Sequence, residues 1–258
     1  HTMSIFRHGI RSVLPETITL LSGPGCPVCV TAQSDIDAFV GLSRTPGVIV
    51  ATFGDLMRVP GTESSLQLER AAGADIRIVY STFDAVKIAA ENPDRKIAFL
   101  GVGFETTAPT VAASILAAQV QGRNNFFVLS ACKRVPPALE ALMHFPGMAV
   151  DGFILPGHVS VILGEEGYRT FFDRHRVPCV ITGFEPVDIL DGICRLAHQI
   201  EAGAPALENA YGRAVTARGN QKARQAMETV FEPAAVAWRG LGTIPDSGLA
   251  VRSALADF

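Results

Sequence analysis

A chain of 258 residues holds one large hydrophobic core or two modest ones, since domains usually run to roughly 100–200 residues. With 48% hydrophobic and 18% charged residues, and no apolar run near the roughly 20 residues that cross a bilayer, the composition is globular and calls for no membrane segment. The net charge of −3 and pI near 6.1 exclude a general attraction to nucleic acid or anionic lipid. The cluster Arg174-His175-Arg176 is too short to change that and reads as a solvated helix end. Five cysteines, an odd number with one close pair, do not make a secreted disulfide framework, and no signal peptide is visible. A reducing cytoplasm is the expected compartment. The chain opens with His1 rather than an initiator Met, which points to a fragment.

In chain order, residues 3–15 read as a helix, and short β-branched apolar runs then alternate with segments of helical period. Strands are predicted at Ile18–Leu21, Val48–Ala51, Ile76–Tyr80, Ile97–Leu100, Phe126–Leu129, Gly152–Leu155 and Cys179–Thr182. Runs such as GVIVATFG and KIAFLGVG are apolar on both faces, as a parallel sheet covered by helices on both sides requires. Between them, SSLQLERAAGA and TVAASILAAQVQG have helical spacing and end near a glycine that caps the helix.

An internal pseudo-repeat organises this pattern. Pro24-Gly25-Cys26-Pro27-Val28 and Pro156-Gly157-His158-Val159-Ser160 each follow an apolar run, and Pro46 and Pro178, each opening a strand, repeat the same 132-residue offset. The expected fold is α/β, with two similar Rossmann-like domains at residues 1–122 and 123–232. Residues 233–258 follow the second of these halves. The second half opens with the strand NFFVLSA and a helix from Pro136, whereas the first has the matching helix with no strand before it. A strand is therefore expected upstream of His1.

The residues with the clearest chemistry are Cys26 and Cys29 in SGPGCPVCV. Gly25 and its neighbours let the backbone turn out of a strand, and residues 30–42 read as the following helix. Unpaired N–H groups at a helix start favour a thiolate, which is a nucleophile or a metal ligand, and Pro27 stiffens the link between the thiols. The alternative is two incidental buried sulfurs. A closed zinc site would need two further ligands, and there is no second Cys-x-x-Cys or His-x₃-His pair. Pro156-Gly157-His158 occupies the matching loop of the second half, where the imidazole is expected to face the cysteines across a cleft; a hydrogen-bonded structural role is the competing expectation.

Gly101-Val102-Gly103-Phe104-Glu105-Thr106-Thr107 leaves a strand for a helix but lacks the third glycine of a dinucleotide fingerprint. Glu105 there either orients a ligand or moves a proton, or simply complements a helix start. Glu185, at the end of TGFEP, is expected at the carboxyl edge of the second sheet, where α/β proteins bind ligands, or else as a solvated first-turn carboxylate. Cys179 and Cys194 read as small core residues, and Cys132 is left open. His8, His144, His175 and His198 read as structural.

The motifs HTMSIFRHGI, SGPGCPVCV, GVGFETTAPT, LPGHVSVILG, TGFEPVDIL and IPDSGLAVR, in this order through the whole chain, resemble the HypD family of nickel–iron hydrogenase maturation proteins. The resemblance implies a scaffold that, with the small chaperone HypC, holds iron while two cyanides and one carbon monoxide are attached, giving Fe(CN)2CO. HypE, carrying a thiocyanate group, is the implied cyanide donor. It also implies two similar α/β domains and a third domain with a 4Fe–4S cluster, whose ligands would lie outside this chain and to which residues 233–258 would begin the connection. Carried over residue by residue, Cys26 and Cys29 match the cysteine pair beside the iron, His158 the Pro-Gly-His histidine, and Glu105 the Gly-Phe-Glu-Thr-Thr glutamate. His1 and Thr2 match the end of a Cys-Gly-Gly-His-Thr motif whose iron-binding cysteine would precede His1. The expected chemistry is iron binding with electron relay through the dithiol. The main competitor is a cytoplasmic thiol–disulfide oxidoreductase in which Cys26 attacks and Cys29 resolves, and a nucleotide site resting on Gly101 and Gly103 ranks last.

Overall fold

The computed structural model describes residues 1–258. Nine strands form two parallel sheets and one antiparallel hairpin. The first sheet contains β1 (Val48–Thr52), β2 (Ile76–Ile78), β3 (Lys96–Gly101) and β4 (Phe126–Ser130), all parallel, in the order β2-β1-β3-β4. The second contains β5 (Phe153–Pro156), β6 (Cys179–Thr182) and β7 (Leu207–Asn209), also parallel and in sequence order. The hairpin pairs β8 (Phe231–Trp238) with β9 (Gly242–Val251) and carries an irregularity between Ala234 and Val236. The α/β reading with parallel sheets flanked by helices holds. Every residue of β1 is buried, as are the last five of β3, because helices cover both faces. On one face Val48, Val50, Ala98 and Leu100 pack with Ile36 and Phe39 of the helix Gln33–Ser43.

The chain divides into two compact units, and the division is not the expected one at residue 122. One unit holds residues 26–137 and 225–258, the other residues 1–25 and 138–224. Three corrections follow. The strand expected to open the second half, at Phe126, is β4, which pairs with β3 along Ile97↔Phe126 to Gly101↔Ser130 and so completes the first sheet. The stretch expected to lead away from the second domain, from residue 233, is most of the β8–β9 hairpin and belongs with the first sheet. The amino-terminal helical stretch belongs with the second sheet: it is two short helices, Thr2–Arg7 and Ile10–Val13, separated at Gly9, whose φ of 60° favours glycine.

Ile18–Leu21 is not a strand. Ile18 and Leu20 instead pack with Ile5, Ile10, Ile189 and Ile193, burying apolar surface without a ladder partner. Pro46 precedes β1 and Pro178 precedes β6, but β1 lies between β2 and β3, which both follow it, whereas β6 lies between β5 and β7. No helix is long and apolar enough to cross a membrane.

Candidate functional site

In the first unit, Cys26 and Cys29 lie on a helix of one turn, Pro27–Val30, rather than at the start of the longer helix expected over residues 30–42. The helix stops because the next residue is claimed from elsewhere. Thr31 forms an antiparallel bridge with Trp238, and the Arg239 N–H donates to the Val30 carbonyl at 2.9 Å. A second helix then starts at Gln33, whose Oε1 accepts from Arg239 Nη2 at 3.2 Å. Pro27 takes the first helical position, where its missing N–H costs nothing. Cys26 caps the turn: its sulfur accepts the Cys29 backbone N–H at 3.2 Å. Gly25 is not sterically demanded, because its φ is ordinary and a Cβ there would meet open space.

Both thiols are free, with Cys26 half-buried and Cys29 exposed. They are therefore not incidental core sulfurs. The Cys29 thiol is held above its ordinary range, first by its hydrogen bond to the Cys26 sulfur, then by partial burial and the Cys26 charge. Its own backbone N–H and the Arg239 charge act in the opposite direction. Two free sulfurs on one turn can both face a soft metal or an electrophile once deprotonated.

Glu105 lies in the same unit, in the loop that leaves β3, and is only 2% exposed. Its Oε1 accepts the Val135 N–H at 2.9 Å, at the start of the helix Val135–Met143, while Oε2 is buried with no partner. Burial pushes this carboxyl up to about 7, against its own backbone N–H, the Val135 N–H and the Arg134 charge. A solvated helix-start carboxylate would look different on every count. Gly103 is required two residues earlier, since a Cβ there would fall 2.3 Å from the Thr107 Cβ. Cys132, left open by the sequence, is buried and donates to the Gly101 carbonyl at 3.2 Å, and burial pushes its thiol up to about 12.

Sequence reasoning passed over the neighbours that brace this region. Lys133 is 1% exposed; its Nζ donates to the Ala237 carbonyl at 3.1 Å, lies 3.9 Å from Asp35 and sits 5.7 Å from the Trp238 ring centroid. Burial lowers the proton affinity of that ammonium, and Asp35 opposes the effect. Trp238 donates its indole N–H to Ser247 Oγ at 2.8 Å and stacks on Phe104 at 6.0 Å. The signal was present, because Trp238 is the chain's only tryptophan and a basic residue follows it.

The second unit gathers another set of predicted residues. The Phe184 ring lies between two imidazoles, stacked on His1 at 4.5 Å and tilted against His158 at 4.0 Å. His1 Nε2 is 2.8 Å from Thr182 Oγ1, and Thr2 Oγ1 is 3.3 Å from Ser22 Oγ. His158 is the second residue of the helix Gly157–Leu163, which approaches β6 so closely that a Cβ on Gly157 would fall 2.3 Å from the Thr182 carbonyl. Glu185 stands at the carboxyl edge of β6, before the helix Pro186–Glu201, but it is solvated and reaches only Arg213, at 3.8 Å. Arg213 is instead bound in a bidentate pair by Asp188 at 2.7 and 2.5 Å.

Of the remaining cysteines, Cys179 is buried in β6 as expected, whereas Cys194 is exposed. Cys194 follows Ile193 on the amphipathic helix, so a turn of about 100° carries it off the buried face. No three His, Cys, Asp or Glu side chains are gathered as a metal cage. The donors present suit two thiolate ligands to a metal and do not suit a 4Fe–4S cluster, which takes four cysteines.

Two parallel α/β sheets, with a free, partly exposed dithiol on a one-turn helix tied to a hairpin, place the chain among α/β proteins with an accessible cysteine pair. Comparison with known proteins narrows this. The family model described as "HypD: Hydrogenase formation hypA family" matches residues 1–258. The hydrogenase maturation factor HypD of Rhizobium leguminosarum bv. viciae is 42% identical over 266 residues, covering 100% of this chain and 69% of that protein. The protein of the same name in Escherichia coli K12 is 44% identical over 250 residues, covering 96% of this chain and 67% of its own length. That of Azotobacter vinelandii is 43% identical over 265 residues, covering 100% and 70%. The chain belongs to the HypD family.

Proposed function

We propose that this chain serves hydrogenase maturation in the cytoplasm as a scaffold for assembling Fe(CN)2CO, with iron as its cargo and HypC and HypE as its partners. The observation that carries the reading is the Cys26–Cys29 turn: two free sulfurs, one capping its own helix and one open to solvent. Thiolates are the ligands that suit iron bearing strong-field carbon ligands, and metal binding displaces the proton held on Cys29. His158 and Glu105 are assigned to orienting ligands and moving protons, each within its own unit, and Gly157 allows the His158 helix to lie against β6.

The dithiol has a second task in this reading. Releasing cyanide from a HypE-bound thiocyanate takes two electrons: the sulfur–carbon bond breaks, the carrier leaves as thiolate and the carbon as cyanide. Oxidation of the Cys26 and Cys29 thiolates to a disulfide supplies those two electrons. A reductant must then restore the pair, and the cluster expected elsewhere in the family's longer proteins is the proposed source.

The oxidoreductase alternative needs Cys26 as the accessible attacking sulfur. The more exposed sulfur is Cys29, and its proton affinity is raised, which counts against that reading. The test is anaerobic purification of the full protein with HypC. Infrared bands of iron-bound cyanide and carbon monoxide are expected, and Cys26→Ser or Cys29→Ser should abolish both the bands and hydrogenase maturation in cells. Normal maturation in both variants would reject the assignment.

A further inference from the structure

The two edges of the first sheet are treated differently. Along β4 the outer side is occupied: Ser130 Oγ donates to the Leu249 carbonyl, and the Val128 N–H donates to the Phe258 carbonyl. Along β2 nothing is paired on the outer side, because β2 ends the strand order. In the parallel ladder the Asp75 carbonyl and the Val79 N–H serve β1, each at 2.9 Å, so the polar groups of Ile76 and Ile78 face outward. The Ile76 N–H turns back on the Ala74 carbonyl and Ile76 itself is buried, so the open strand groups are the N–H and carbonyl of the exposed Ile78.

Beside this edge lies a cleft of about 530 Å³, at the carboxyl ends of β1 and β2, lined in part by Asp55, Met57, Arg58, Gln67, Arg70 and Ile78. Its two arginines differ from their neighbours. Arg44, Arg77 and Arg95 are all paired with carboxylates, whereas Arg58 and Arg70 have neither an ion pair nor a side-chain hydrogen bond. One carboxylate, Asp55, lines the cleft against these two positive charges. Exposed apolar side chains lie on the same elements: Ile78, 39% exposed, lines the cleft, Tyr80 two residues past the end of β2 is 94% exposed, and Leu68, next to Gln67, is 61% exposed. Open strand groups, unneutralised guanidinium groups and uncovered apolar side chains are what an added strand of complementary charge would use.

We propose that the outer edge of β2 and the Arg58–Arg70 cleft form a docking surface for an extended segment of a partner protein in which acidic residues alternate with apolar ones. The segment pairs with the Ile78 backbone, sets carboxylates on Arg58 and Arg70, and covers Ile78 and Tyr80. The inference does not depend on what the thiol pair binds.

The test places the photo-crosslinker p-benzoylphenylalanine at Tyr80 of the full protein, in cells that are maturing hydrogenase, with the same probe at the exposed Glu201 as control. Mass spectrometry of the product should identify a segment of net negative charge in a partner protein. Charge reversal by Arg58→Glu with Arg70→Glu should cut the yield about tenfold. If that pair disturbs the fold, as read from Trp238 fluorescence, Arg58→Gln with Arg70→Gln should still cut it about threefold. The proposal is overturned by no product above the control position, by capture of a neutral or basic segment or of a second copy of this chain, or by a yield that charge removal leaves unchanged.

Discussion

Glu105 gives the sharpest test of the energetics. Its carboxyl is pushed from an ordinary 4.5 to about 7 by burial, with one oxygen bonded to the Val135 N–H and the other unpartnered. A folded value above the unfolded one means that folding favours the protonated form. Glu105 therefore contributes fully below about pH 4.5, loses that contribution as pH rises toward 7, and is destabilising above it. At roughly 1.4 kcal/mol per unit, the whole swing is about 3 kcal/mol, a large share of the roughly 5–15 kcal/mol that holds a typical fold together. Glu105→Gln keeps an acceptor for the Val135 N–H and removes the titration, though its amide N–H₂ still lacks a partner, costing about 1–3 kcal/mol at every pH. Urea unfolding followed by Trp238 fluorescence, which reports on the same unit, should show the variant gaining about 2.5 kcal/mol on the wild type between pH 5 and pH 8, the rest of the swing falling below pH 5. Parallel pH profiles for the two proteins would refute the argument, because they would mean that Glu105 does not change its proton affinity on folding.

Other outcomes follow from contacts described above. Cys26→Ala removes the sulfur that holds the Cys29 proton, so Cys29 should be alkylated by iodoacetamide faster at pH 8 than in the wild type, as read by site-resolved mass spectrometry. Gly157→Ala sets a Cβ against the Thr182 carbonyl and the Tyr211 ring and should cost about 1–3 kcal/mol in chemical denaturation followed by circular dichroism. Lys133→Met replaces a buried ammonium by an apolar chain of similar length; with Asp35 partly solvated, stability should change by less than about 1 kcal/mol, whereas Lys133→Ala should cost about 2 kcal/mol or more. Phe184→Leu should shift the imidazole proton resonances of both His1 and His158, since that ring lies against each.

The parts of the fold that were legible in the residues are those decided locally. Strands β1, β3 and β6 are uninterrupted apolar runs because helices cover them on both faces, and a proline two residues before β1 and one before β6 opens each. What a run pairs with is decided at long range. Ile18–Leu21 has strand-like composition yet finds no ladder, and Phe126–Ser130, read as opening one sheet, completes the other. The same limit applies at the site. The thiol pair and the Gly157 contact follow from local turn chemistry. The one-turn length of the thiol helix and the bracing by Lys133, Trp238 and Arg239 depend on a hairpin some two hundred residues downstream of the cysteines, and the burial of Glu105 on the segment around Val135, thirty residues on. Cys194 shows a smaller version of the problem, since one position along a helix separates a core side chain from a solvated one.

That hairpin also sets a timetable. A ribosome delivers Cys26 and Cys29 early, but Thr31 and Val30 cannot find Trp238 and Arg239 until β8 has emerged, when nearly the whole of this chain has been made. Through most of translation the two sulfurs ride on an unanchored loop, and they are fixed in place only when the last strands pair with Val30 and Thr31 beside them.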